Sequence, residues 1–327
     1  MTKGDDMIYE TELTTALDAV KKASVLCRKV QNTIDVDAIR KADRSPVTLA
    51  DFASQAVINM ALRRAFPHDP VVSEEESAAL KENDDLRGKV AGLARDIEPD
   101  AAEADILSAI DFGDRKIDFK KRYWTLDPID GTKGFLRGEQ YAIALALVED
   151  GAPVLGVLGC PNFQMTESDP GGYLFYATKG NGTMAQPLNG GEALRARVDD
   201  IADPQRARFC ESVEKAHAAH DVHHRISAAI GIKAFPCRMD SQAKYAAVSS
   251  GEASIYLRLP RSEEYREKIW DHAAGAIVVT EAGGAVTDFS GKPLDFSKGH
   301  KLLDNYGIVA SNGRLHERIL AAIKQET

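Results

Sequence analysis

Apolar residues recur at helical spacing from residue 10 to about residue 32. Ala16, Val20, Ala23, Cys27 and Val30 fall on one stripe, which predicts an amphipathic helix with that stripe turned inward. A second helix is expected from about Leu49 to Phe66, with Thr48 and Asp51 as a capping pair and Pro67 as its stop. "PVVSEEES" reads as a short strand running into an acidic turn, and residues 78 to 120 are polar, charged and partly helical. A run through Trp124 to Leu126 predicts a strand leading into "DPIDGTKGF". Next, "YAIALALVEDGAPVLGVLGCP" sets two apolar runs about Glu149-Asp150-Gly151, a hairpin pattern. "GYLFYATKGNGTMAQPL" repeats it about Gly180-Asn181-Gly182.

The rhythm then changes. Residues 185 to 207 read as a linker. Beyond them strands and helices alternate through "ARFCES", a helix around His223 to Ile230, "KAFPCR", "SQAKYAAVSSG" and "ASIYLRL". A last helix runs from about Asp271 to the closing pair Gly283-Gly284. Such alternation predicts a layered α/β half. The chain is expected to divide into an α+β region, residues 1–190, and an α/β region, residues 191–327.

Composition narrows the function. The 327 residues are 44% hydrophobic, enough for a sizeable core. A net charge of -9 argues against nucleic acid as a partner, because phosphate backbones need clustered positive charge. No apolar run approaches a membrane span, and "MTKGDDMIYE" lacks the apolar centre of a signal peptide. Cys27, Cys160, Cys210 and Cys237 form no C-x-x-C pair and read as reduced core residues, so a cytoplasmic protein is expected. A small anionic molecule remains compatible with this charge where local cations offset it.

Five acids fall at predicted element ends: Asp43, Glu74, Asp127, Asp130 and Asp271. Loop ends are where side chains converge on a cleft. A buried carboxylate without a partner costs roughly several kcal/mol, so such a cluster needs cations. Neither His nor Cys stands at metal-ligand spacing around them, and all-oxygen ligands favour Mg²⁺ or a similar hard ion. Asp127 alone could cap a turn, and Glu74 to Glu76 could be a solvated face. "LDPIDGT" is more specific. Pro128 stiffens the backbone between the two acids, Gly131 permits close approach, and Thr132 adds a hydroxyl. A short helix starting at about Thr132 would turn free amides toward an anion. Carboxylates for metal beside amides for phosphate describe a phosphoryl-transfer site.

"DPIDGT" followed far downstream by "WDHAAGAIVVTEAGG" resembles the inositol monophosphatase superfamily of magnesium-dependent, lithium-sensitive phosphatases. "DPIDGTKGFLRGEQYAIALAL", "SPVT", "SVEKAHAAHD", "DSQAKYAAVSSGEASIYLRLP" and "EKIWDHAAG" resemble its 3'(2'),5'-bisphosphate nucleotidase branch, of the salt-tolerance type. The resemblance runs from about residue 10 to residue 315 and is weakest at 78 to 120. It implies a layered αβαβα sandwich of the inositol monophosphatase and fructose-1,6-bisphosphatase type, with the site between two domains. It implies Glu74, Asp127, Asp130, Asp271 and the Ile129 carbonyl as ligands to two or three Mg²⁺ ions. Asp43 and Thr132 match the pair that orients and deprotonates the attacking water, and Gly131 and Thr132 would present amides to the scissile phosphate. His217, Ser241, Lys244 and Arg258 match the nucleotide site. Lys244 and Arg258 also make physical sense there, since a second phosphate needs cations away from the metals. Ser73 replaces the glycine that usually precedes the first ligand, so Glu75 competes with Glu74, and His220 lies one helical step from His217.

The resemblance therefore implies hydrolysis of the 3'-phosphate of adenosine 3',5'-bisphosphate to AMP, with adenosine 3'-phosphate 5'-phosphosulfate as a further substrate. Two other functions compete: a phosphatase of inositol mono- or polyphosphates, and a non-catalytic nucleotide-binding protein. The lysine in "DGTKGF" favours the nucleotidase, and the occupied metal and water-activating positions favour catalysis.

Overall fold

The computed structural model describes residues 8–33, 45–113, 117–166, 171–213, 217–260 and 262–326. Helix α1 (Glu10–Gln31) buries the stripe anticipated from the sequence, Ala16, Val20, Ala23, Cys27 and Val30. Helix α2 (Ser45–Ala65) begins about four residues earlier than its periodicity suggests. Pro46 accounts for the difference, because a proline in the first turn forfeits no helical hydrogen bond. Thr48 and Asp51 therefore lie inside α2 and do not cap it.

The expected acidic turn follows strand β1 (Val71–Ser73). The polar stretch after it folds as helices α3 (Ala78–Lys81), α4 (Asp84–Arg95) and α5 (Glu103–Ile110). Strand β2 (Tyr123–Asp130) outlasts the predicted run and leads into helix α6 (Thr132–Leu136). Both hairpins form, as β3 (Ala142–Glu149) with β4 (Ala152–Cys160), and β5 (Tyr173–Thr178) with β6 (Gly182–Pro187). Residues 185 to 207 are not a plain linker. They finish β6 and add an edge strand, β7 (Leu194–Ala196), antiparallel to it. This first sheet runs β1 to β7 in chain order, with β1 parallel to β2 and every later pair antiparallel.

The second half supplies β8 (Phe209–Glu211), α7 (His217–Ile230), β9 (Cys237–Arg238), α8 (Ala243–Ser249) and β10 (Ile255–Arg258). Helix α9 (Ala273–Glu281), β11 (Ala285–Thr287), β12 (Ile308–Ser311) and α10 (His316–Glu326) complete it. The second sheet has the order β11-β12-β10-β8-β9.

Five layers result. Helices α1 and α2 cover one face of the first sheet, α8 and α9 lie between the sheets, and α7 with α10 close the far face of the second. Strand β4 registers the stacking. A Cβ at Gly156 would meet Ile277 at 2.5 Å, and one at Gly159 would meet Ser24 Oγ at 2.5 Å. Residues three apart on a strand face opposite sides, so α9 presses one face and α1 the other. Helix α9 is apolar on all sides, with Ala273 to Val279 buried, as a helix between two sheets must be. This is the αβαβα sandwich expected from the resemblance. Cys27, Cys160 and Cys210 are free and buried, and Cys237 is only half-buried. Among the described residues no helix is long and apolar enough to cross a membrane.

Candidate active site

The acids converge because of strand register. Strands β1 and β2 pair in parallel, Ser73 opposite Leu126, so the next residues, Glu74 just past β1 and Asp127 still in β2, stand side by side. The Glu74 amide donates to the Leu126 carbonyl at 3.2 Å and fixes that alignment. Asp127 and Asp130 would face opposite sides of a regular strand. The pairing of β2 with β3 shifts between them: Asp127 opposes Ala144 and Asp130 opposes Ala142. Three steps on one strand against two on its neighbour make a bulge, which turns odd spacing into even and brings both carboxylates to the same side. Pro128, with no amide to give the ladder, lies within the bulge, and its carbonyl accepts from Ser54 Oγ of α2 at 3.2 Å.

Gly131 ends the strand at φ 89, a conformation that costs glycine little. A Cβ there would also stand 2.8 Å from that of Ser241. Thr132 follows as the exposed first residue of α6. The second half of the chain is locked on through Gln242. Its amide donates to Asp130 Oδ2 at 2.6 Å, its side chain donates to the Trp270 carbonyl at 2.8 Å, and its Oε1 accepts from the Gly275 amide at 3.1 Å. One glutamine thus couples Asp130 to the segment that bears Asp271. Ser241 precedes it at φ 68, buried, with Oγ accepting from the Ala243 amide.

The cluster's electrostatics are unbalanced. Asp127 is 2% exposed, and its Oδ1 has no hydrogen-bond partner among the described residues. Burial, then Glu74, Asp130 and Asp271, push its carboxyl well above the ordinary range. Asp271 is raised in the same way, by burial and then by Asp130. Asp130 is raised by burial, while Lys244, Arg258 and the Gln242 amide pull it back. Glu74 keeps solvent access at the mouth, yet burial of its carboxyl end and the neighbouring Glu75 lift it to about 7. Carboxylates that raise one another lack a cation. An all-oxygen set with an orphaned buried oxygen fits a hard divalent ion.

The structure brings together Glu74, Asp127, Asp130 and Asp271, with Ile129 buried between the two aspartates. Glu75 acts as charge on both Asp51 and Glu74, and its backbone is clamped by Gln55 through bonds of 2.7 and 3.1 Å. Asp51 itself joins the cluster. It is buried, it is raised by burial and by Glu75 and Glu74, and its charge reaches Asp127. Its spacing from Val47 and Ala50 on the buried face of α2 was the available signal. Asp43 and the side chain of His217 lie outside the described residues.

Lys244 and Arg258 both reach the cluster as charge. Lys244 is buried, its Nζ 3.3 Å from the Met239 carbonyl and 5.2 Å from the centre of the Tyr256 ring. Arg258, partly exposed at the end of β10, donates from Nε to Glu267 at 3.1 Å.

Comparison with known proteins identifies the family. The inositol monophosphatase family profile matches residues 9–327. A protein of Emericella nidulans named 3'(2'),5'-bisphosphate nucleotidase is 40% identical over 348 residues, covering 98% of this chain and 99% of that one. A protein of Oryza sativa with the same name is 44% identical over 338 residues, covering 97% of this chain and 94% of that one. Among solved structures, an IMPase of Thermotoga maritima superimposes with a TM-score of 0.66 at 22% identity, covering 97% of this chain and 98% of that one. That likeness speaks to the fold alone.

Proposed function

The chain belongs to the inositol monophosphatase family, and from that premise we propose that it removes the 3'-phosphate of adenosine 3',5'-bisphosphate, yielding AMP and phosphate. Adenosine 3'-phosphate 5'-phosphosulfate would be cleaved at the same position. The observation that carries the reading is a cluster of mutually raised carboxylates beside Arg258, a partly exposed guanidinium suited to a second phosphate. Glu74, Asp127, Asp130, Asp271 and the Ile129 carbonyl would hold two or three Mg²⁺ ions. When bound, such ions supply positive charge for the phosphoryl oxygens and acidify water.

The chain's own residues do the rest. The Gly131 and Thr132 amides receive the scissile phosphate. The Thr132 hydroxyl orients water for in-line attack, the new P–O bond forms as the P–O3' bond breaks, and the 3'-oxygen leaves as a hydroxyl by taking a proton from solvent. Arg258 meets the 5'-phosphate, Lys244 adds charge from beneath, and Ser241 with His217 flanks the nucleotide. The two regions, residues 1–190 and 191–327, act as domains that meet at this cleft. We place the enzyme in the cytoplasm, where thiols such as Cys27 and Cys160 stay reduced.

Two acids are candidates for taking water's proton through Thr132. Asp43 follows from the resemblance, and Asp51 is favoured by its place against Asp127, Glu74 and Glu75. Losing a general base costs about a hundredfold to ten-thousandfold in turnover. Asp51→Asn is expected to show that loss and Asp43→Ala to retain activity; the reverse returns the role to Asp43.

The test of the function is Mg²⁺-dependent phosphate release from adenosine 3',5'-bisphosphate and from inositol 1-phosphate at equal concentration, with and without Li⁺. Preference for the nucleotide, suppressed by lithium, is expected. Preference for the inositol ester would keep the metal site and replace the substrate. Nucleotide binding without any phosphate release would make the protein a non-catalytic binder.

A further inference from the structure

Behind Arg258 lies a buried polar chain that no step above uses. Glu267 is 4% exposed, His272 1% and Tyr245 0%. One Glu267 oxygen accepts from Arg258 Nε at 3.1 Å, and the other lies 3.4 Å from His272 Nε2. His272 Nδ1 is 2.8 Å from the Tyr245 hydroxyl. A carboxylate can only accept, so a neutral His272 carries its proton on Nε2 and takes Tyr245 as donor on Nδ1. The chain therefore runs from Tyr245 through His272 to Glu267, with Arg258 donating from the other side.

The backbone under Glu267 is fixed as well. Its carbonyl accepts from the Leu302 amide at 3.0 Å, and the Ile269 amide donates to the His300 carbonyl at 3.2 Å. Glu267 is thus held from both sides. Arg258 is held only at Nε, and its two terminal nitrogens carry no hydrogen bond to any described residue. Those nitrogens are the forked pair that suits a phosphate. Glu267, Asp271 and His272 could offer atoms within 4.8 Å of one another to a cation. Both ring nitrogens of His272 are already hydrogen-bonded, one to Glu267 and one to Tyr245, and a cation would have to displace one of them, so the cluster reads as a brace and not as another metal site.

We propose that Glu267 is a positioning residue for substrate selection: by gripping Arg258 at Nε it aims the terminal nitrogens at the cleft and sets the preference for substrates bearing a phosphate besides the one cleaved. This rests on the function proposed above. A free arginine side chain must give up rotamer freedom on meeting a phosphate, and an arginine already braced has less to lose.

The experiment is steady-state kinetics on adenosine 3',5'-bisphosphate and adenosine 3'-monophosphate with wild type, Glu267→Gln, Glu267→Ala, Arg258→Ala and the double variant Glu267→Ala/Arg258→Ala. Thermal melting of each variant checks folding. Glu267→Ala is expected to raise KM for the bisphosphate about tenfold and Glu267→Gln about threefold, with kcat little changed. Both constants for the monophosphate should stay within about twofold of wild type. Glu267→Ala should add nothing once Arg258 is alanine. Equal losses on both substrates, no loss, or additive losses in the double variant would overturn the inference. The soluble Glu267→Gln protein decides the matter if the alanine variant does not fold. A wild-type enzyme without preference for the bisphosphate would remove the functional reading and this inference together. A wild-type preference that survives in Glu267→Gln and Glu267→Ala would remove this inference alone.

Discussion

Strand β2 has an acid cluster at each end, and the two are built on opposite principles. Just before Tyr123, Arg122 reaches Glu12 at 2.9 Å, Asp69 at 2.8 Å and Glu149 at 3.0 Å. Tyr9 donates to Glu149 at 2.7 Å, Trp124 Nε1 donates to Asp69 at 3.1 Å, and the guanidinium lies 5.7 Å from the centre of the Phe66 ring. Despite burial, the three carboxylates hold the Arg122 proton more tightly than usual. At the far end, Asp127 and Asp130 meet Glu74 and Asp271, and a buried oxygen of Asp127 has no donor among the described residues. At one end an arginine closes directly on the carboxylates; at the other Lys244 and Arg258 only partly offset them. Carboxylates closed on their own arginine staple α1, β2 and β3 together. Carboxylates only partly offset make a binding site at a cost in stability.

The largest expected effect comes from cutting the open end. Asp127→Asn should lower Mg²⁺-dependent turnover by about a thousandfold or more, since metal charge supplies several kcal/mol of transition-state stabilisation. The same variant should unfold no more easily than wild type in chelator, because it removes a buried charge that lacks a partner. Melting in chelator at a clearly lower temperature would mean that this end, too, is structural. The converse cut is Arg122→Ala. It leaves three carboxylates facing one another and should lower the unfolding free energy in urea by about 3 kcal/mol, the low end for a broken buried pair because Arg122 is partly solvated. Its kcat should stay within about twofold of wild type. A large loss of kcat in a folded Arg122→Ala protein would break the division between the two ends.

How far these roles were legible in the sequence depends on whether the informative contacts are local. Asp127 and Asp130 were legible because Pro128, Gly131 and Thr132 beside them carry turn and phosphate chemistry. Both hairpins were legible because glycine turns divide long apolar runs. Asp51 reads as a cap in the sequence because the periodicity begins α2 about four residues late, whereas in the fold it is a buried acid inside the helix. The bulge that aligns Asp127 with Asp130 is a relation to β3, and neither strand states it alone. Gln242 and Glu267 are single polar letters whose partners lie elsewhere in the chain: Asp130 for one, Arg258 and His272 for the other. Strand β7 is three residues at a sheet edge, too short to impose an alternation. The five-layer order came from family resemblance, although the unbroken apolar run of α9 was already a mark of a helix enclosed on all sides.

Filling the open end should sharpen the contrast by a smaller amount. Mg²⁺ at about a hundred times its dissociation constant should stabilise the wild-type protein by about 2.7 kcal/mol relative to chelator. Arg122→Ala should keep that gain although its baseline is lower. Asp127→Asn should lose most of it. Calorimetric melting of the three proteins, with and without the ion, checks the pattern. An equal gain in all three would place the responsive site away from Asp127.

The smallest effect is a slope with pH, and its sign separates an open cluster from a closed one. Burial and Glu75 lift Glu74 in the folded protein from 4.5 to about 7. The folded state then holds a proton that the unfolded chain releases between those values. This contribution is fully present below 4.5 and is lost as pH rises through about 7. The metal-free protein should therefore melt at falling temperature across that window, by no more than about a few degrees, because Glu74 keeps solvent access. Glu74→Gln has no proton to lose and should reduce the slope by Glu74's share, leaving the part of the same sign that the raised Asp51, Asp127 and Asp271 contribute. Saturating Mg²⁺ should abolish or reverse it, since protons then compete with the ion for the same oxygens. Arg122→Ala should leave it in place, the two ends of β2 being separate. A metal-free melting temperature that rises across the window would mean that the carboxylates at this end are already paired, and a slope unchanged by Glu74→Gln would assign it to the buried aspartates and not to Glu74.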